Sequence, residues 1–64
     1  MIPETIPVPE FNNDSLPEWA KGNEDILWLC QRNLAFRANV FGAQSNVQMR
    51  PVLRKQARKT RYGE

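Results

Sequence analysis

The stretch "NEDILWLCQRNLAFRANVFG", residues 23–42, holds the helix around which the rest of this 64-residue chain must fold. Asn23 reads as its N-cap, since an Asn side-chain oxygen can accept from one of the free first-turn N–H groups. Glu24 and Asp25 follow, favourably placed against the positive end of the helix dipole. Gly42 reads as the C-terminal stop. The spacing therefore predicts one continuous central helix from Glu24 to about Phe41. Leu27, Cys30, Leu34, Ala38 and Phe41 fall on a single stripe of it, which Ile26 widens. Leu29, Phe36 and Val40 form a second group on nearly the opposite side, with Trp28 between the two. A helix apolar on two sides needs covering on both, and one further helix of this chain cannot do that. The pattern implies a subunit docked on neighbouring proteins, with Trp28, Leu29, Phe36 and Val40 as candidate partner contacts. Scattered surface apolar residues are the plainer alternative.

Upstream, residues 1–14, "MIPETIPVPEFNND", contain three prolines among β-branched and acidic residues. Proline fixes φ and biases its predecessor toward extended backbone, so this segment reads as an extended arm. Its composition also fits disorder in the isolated chain. Ile6 and Phe11 would be wasted on a free tail, and they join Trp19 as candidate contacts to a partner along which the arm orders. "SLPE", residues 15–18, fits a capping box with Ser15 as N-cap and Glu18 three residues on, opening a short helix through Trp19 and Ala20 that stops at Gly22.

Downstream, "SNVQ" at 45–48 repeats the capping-box pattern and opens a basic C-terminal helix over 46–62, unless Pro51 marks its real start. Met49, Val52, Leu53, Gln56, Ala57 and Thr60 share one face of that segment. Arg50, Arg54, Arg58 and Arg61 form a narrow stripe on another, with Lys55 and Lys59 beside it. Like charges at i,i+4 repel by a few tenths of a kcal/mol per pair, and no Asp or Glu lies between residues 26 and 63 to relieve them. An unmixed stripe suggests that a partner supplies the compensating charge. The planar fork of arginine binds phosphate or carboxylate in two-point fashion, which lysine cannot.

The charge distribution agrees. Residues 1–42 carry three basic against six acidic side chains and residues 43–64 six against one, so the net charge of +2 conceals an acidic front and a basic end. A chain this short forms at most one domain, here residues 15–64 behind the arm, and buries only about 60% of its unfolded surface. One cysteine makes no internal disulfide, and without histidine a structural zinc site is not indicated. The lone Cys30 points to the cytoplasm or another reducing compartment. No apolar run approaches a membrane span, and "MIPETIPVPE" does not read as a secretory signal or transit peptide.

Enzymatic chemistry is poorly served. No histidine is present as a base near neutral pH, and Cys30 sits mid-helix in an apolar stripe. Dipole compensation explains the Glu24–Asp25 pair, and the three glycines are isolated, so no phosphate loop exists. No catalytic residue, cofactor, metal or small-molecule substrate is indicated. The sequence reads as mainly α-helical and non-enzymatic: an accessory subunit of a ribonucleoprotein or similar assembly, binding RNA phosphates through Arg50, Arg54, Lys55, Arg58, Lys59 and Arg61. About six phosphate contacts predict a loss of roughly 10³-fold or more in affinity between 50 and 200 mM salt. Tyr62, beyond the stripe, could stack on a base or sugar. Two other classes fit the same features. One is a virion or packaging component meeting DNA and neighbouring capsid subunits; the other is a protein-only subunit whose arginines meet an acidic surface.

The segment "RPVLRKQARKT" resembles the C-terminal helix of the bacterial large-subunit ribosomal protein family beside the polypeptide exit tunnel (the "L twenty-nine" family), matching at Arg50, Val52, Arg54, Ala57 and Arg58. Upstream, "RNLAFRANVFGAQSN" resembles another segment of that family at Asn33, Leu34, Phe36, Gly42 and Asn46. The two together cover about half the chain. The proline-rich arm and "PEWAKG" have no counterpart there, and Pro51 falls in a helix the family keeps continuous. The resemblance implies an antiparallel helical hairpin packed on ribosomal RNA.

Overall fold

The computed structural model describes residues 11–63, in which two 3₁₀ turns lead into three α-helices and no strand forms. Ile6 and the first ten residues of the expected arm lie outside the described residues. The end of that arm departs from extended chain: Asn12 is still extended, but Asn13 and Asp14 enter a turn. Asn12 caps a 3₁₀ turn over Asn13–Ser15, accepting from the Asp14 N–H at 3.0 Å while its own N–H donates to Ser15 Oγ at 3.3 Å. Ser15 is thus the reciprocal partner of an Asn12 cap and not a cap itself. The expected helix through "SLPE" cannot start there because Leu16 precedes a proline and is driven to extended backbone, φ −75° and ψ 151°. A second 3₁₀ turn, Glu18–Ala20, follows, and Leu16, Pro17 and Ala20 are buried.

Gly22 then turns the chain with φ +88°, its N–H donating to Asn13 Oδ1 at 2.9 Å, a conformation that favours glycine. Asn23 caps the next helix as expected, accepting from the Ile26 N–H at 3.0 Å.

The central helix is broken. Helix α1 runs Glu24–Arg32 and helix α2 Leu34–Gly42, with Asn33 between them in extended conformation, φ −134° and ψ 108°. Asn33 belongs to both helices: its N–H donates to the Leu29 carbonyl at 2.8 Å, and its side chain accepts from the Phe36 N–H at 2.9 Å. A short amide side chain offers the backbone a local alternative to helix, and here that alternative wins. The Cys30 carbonyl, which a continuous helix would bond to the Leu34 N–H, accepts instead from Arg37 Nε at 3.0 Å.

The break redistributes the two apolar groups. Leu29, Phe36 and Val40, read as a surface for partners, are buried in this chain's own core with Ile26, Cys30, Ala43, Leu53 and Ala57. Leu34, Ala38 and Phe41, read as part of the buried stripe, are exposed. Helix α3, Met49–Tyr62, packs most extensively on α1 and closes the core with Leu53 and Ala57. The chain is mainly α, but its first helical arm is two helices, so the cover that a straight amphipathic rod would have needed from outside is supplied from within.

Helix α3 starts later than the expected residue 46. Ser45 is not its cap, because the Ser45 hydroxyl donates back to the Gly42 carbonyl at 3.1 Å and residues 43–46 continue in turns. Gln48 precedes the helix with no side-chain cap. Pro51 is the third helical residue, where a missing N–H breaks no helical bond. Gly63 ends the helix at φ +72°, its N–H on the Lys59 carbonyl at 2.8 Å.

Two outcomes follow. Asn33→Ala removes the cap of α2 and should lower stability by about 1 kcal/mol in urea unfolding followed by circular dichroism. Cys30 is fully buried, and that desolvation, opposed by Arg37, pushes its thiol pKa from 9.0 to about 11. The unfolded chain loses this proton near pH 9.0 and the folded chain near 11, so the group's stabilising contribution is complete below pH 9.0 and is lost as pH climbs toward 11. At pH 8 a disulfide reagent should react with the folded chain at least ~100-fold more slowly than with the urea-unfolded chain.

Candidate nucleic-acid interface

Helix α3 directs Leu53 and Ala57 inward, and the residues one turn away on either side, Arg50 and Arg61, are half-buried beside them. The four-arginine stripe is therefore not one surface. Its two ends are half-buried and hydrogen-bonded within the fold, whereas Arg54 and Arg58 are exposed, Arg54 touching only the Trp19 ring.

Arg50 lies over the turn that precedes α3. Its Nε donates to the Ala43 carbonyl and its terminal nitrogen to the Gln44 carbonyl, each at 3.2 Å. Its guanidinium sits 5.6 Å from the centroid of the Trp19 ring, and that of Arg54 sits 5.5 Å from the same ring. Trp19 Nε1 donates to the Val40 carbonyl at 3.3 Å, so the indole ties the second 3₁₀ turn to α2 while α3's arginines rest on it. Trp19 thus joins elements of its own chain.

Arg61 pairs with Asp25 at 3.1 Å, both side chains about a quarter exposed. Reading α3 alone leaves its charges unopposed over residues 26–63; the fold brings an acid from the first turn of α1 against the last turn of α3. Nothing in the local spacing signals this pair, because its members are 36 residues apart.

The two arginines outside α3 are also engaged. Arg32 lies 4.3 Å over the Trp28 ring and donates to the Trp28 carbonyl at 2.9 Å. Arg37 lies 4.1 Å over the Phe11 ring. Phe11 and Trp28 are half-buried and pack on the core.

Arg54, Lys55, Arg58 and Lys59 are exposed, and among the described residues no acidic side chain pairs with any of them. They form two i,i+4 pairs on neighbouring rows of α3, each spanning about 6 Å of helix axis. Tyr62 is exposed 57% at the C-terminal end, with the Arg61 guanidinium 5.4 Å from its ring. The candidate interface is this outer face of α3, four cations without acid partners on a helix whose inner face is fixed in the core. Among the described residues no cluster of three or more metal-ligating side chains occurs.

The division has a measurable consequence. Arg61→Ala removes the pair with Asp25 and packed stem, and should lower stability by roughly 1 kcal/mol. Arg58→Ala should leave it within about 0.5 kcal/mol, or raise it slightly by relieving repulsion. Parallel thermal melts of the two variants compare them directly.

No family model, no curated protein and no solved structure matches this chain.

Proposed function

We propose that this chain is a non-enzymatic accessory component of a large RNA–protein assembly, ribosomal or other, and that the outer face of α3 binds RNA phosphates. The observation that carries this reading is the set of four exposed cations, Arg54, Lys55, Arg58 and Lys59, with no acid partner among the described residues, in a fold that gives Arg61 an acid and holds Arg50 on two main-chain carbonyls. A face of one sign on a stable helix invites a polyanion, because the repulsion among its members is relieved only by charge from outside.

The binding mode follows from the residue types. Phosphate contacts position a helix on a nucleic acid without reading base order. Lysines act as point charges, and the arginine forks add two-point contacts. Arg54, resting on Trp19, loses less side-chain freedom on binding than a free arginine does. Arg50 and Arg61 hold their places in the fold and are not counted among the primary contacts.

Four contacts in place of six change the expected salt response. With a slope of about 0.7 to 0.9 per contact, affinity should fall roughly 50- to 150-fold between 50 and 200 mM salt. The double substitution Arg58→Gln with Lys59→Gln should reduce the slope by about two contacts, whereas Arg61→Gln should leave it unchanged. Fluorescence anisotropy with a labelled RNA reads both. No binding at 50 mM salt, or an affinity indifferent to salt, would remove the basis for the proposal.

A further inference from the structure

Glu24, Leu27, Trp28 and Gln31 recur at i, i+3, i+4 and i+7 and so share one face of α1. With Arg61 from the last turn of α3 they line a cleft of about 320 Å³. Small-molecule sites run from roughly 300 to 1,000 Å³, so this one has room for a single flat ring system and not for a duplex. Leu27 and Trp28 are half-buried, pack on the core and make its apolar wall.

The polar groups of the cleft have capacity to spare. Glu24 is exposed, and no basic side chain pairs with it among the described residues. Gln31 donates from Nε2 to the Phe11 carbonyl at 2.8 Å, which leaves its Oε1 to accept. Arg61 gives one terminal nitrogen to Asp25 at 3.1 Å, and that pair holds its guanidinium beside the cleft. Its other N–H groups have no acceptor among the described residues. Acceptors of α1 are thus set against donors of α3 beside an apolar wall. The cleft also adjoins the cationic face, since Arg58 precedes Arg61 by about 4.5 Å along the helix axis.

We propose that this cleft receives one unpaired base of the RNA bound along α3, and that guanine fits it best. The inference rests on the RNA-binding reading of α3 and adds base selection, which phosphate contacts do not supply. Unpaired RNA bases are held by aromatic contact and read by hydrogen bonds to their edges. Guanine presents two adjacent donors, N1–H and the 2-amino group, next to two acceptors, O6 and N7. The donor pair suits the Glu24 carboxylate, and the acceptor pair suits the Arg61 fork. Adenine, cytosine and uracil each lack at least one of these two-point matches.

Fluorescence anisotropy on the full chain tests it, with four short labelled RNAs that are uridine throughout but for one central base. The guanosine RNA should bind roughly 5- to 10-fold tighter than the all-uridine one, a modest value for a two-point base contact. Inosine in its place, which lacks the 2-amino donor, should lose most of that preference with the protein untouched. Glu24→Gln, at an exposed position, should bring the ratio close to one with the helical circular dichroism unchanged. In an NMR titration with GMP the Trp28 indole N–H should shift beyond its response to UMP, while that of Trp19 responds alike to both. Equal affinity for the four RNAs, a guanosine preference that survives Glu24→Gln, or a Trp28 signal indifferent to GMP would each overturn the inference and leave the phosphate reading standing. Absence of binding by all four RNAs at 50 mM salt would instead remove the phosphate reading, and this inference with it.

Discussion

Asn33 is the constraint on which the fold depends. One residue ends α1 through its N–H and starts α2 through its side chain, and it does so in a conformation that neither helix could contain. Without the break, Cys30 would lie on the stripe with Leu27 and Leu34, on nearly the opposite side from Leu29, Phe36 and Val40, and no single neighbouring helix could bury both sets. With it, a chain of marginal length closes a core from ten apolar residues among those described, Phe36 the largest and Leu16 and Ala57 at its extremes in sequence. Arg37 completes the arrangement by taking the Cys30 carbonyl that the break sets free.

Arginine has two separate uses in this molecule. Arg32, Arg37 and Arg50 each lie over an aromatic ring and donate to a main-chain carbonyl at a helix end or turn. Arg37 and Arg50 thereby connect separate elements, whereas both contacts of Arg32 lie within α1. Arg58 and its lysine neighbours do none of this. The distinction matters for function, since a count of basic residues overstates the charge free to meet a partner.

Much of this was legible in the residues, and the failures share a cause. The helical class, the Asn23 cap and the end of the basic helix at residue 62 rest on interactions within one turn, which local sequence reports well. The stripe of α3 was correctly placed on a helix, yet its division into engaged and free members depends on Trp19 and Asp25, which tertiary folding alone brings to it. Periodicity failed at Asn33 because an apolar pattern of period 3.6 continues smoothly across it; only the competing hydrogen bond of the amide marks the break. Ser15 and Ser45 fit capping-box patterns and cap nothing, since a proline neighbour in one case and a nearer carbonyl in the other claim the geometry.

The burial of Cys30 reaches beyond packing. While the helices are closed its sulfur has no route to an oxidant or to another chain, so the thiol is insulated from its surroundings. Covalent dimers joined through that sulfur can arise only from molecules that have opened. Their slow accumulation in air would record, molecule by molecule, how often this small core comes apart.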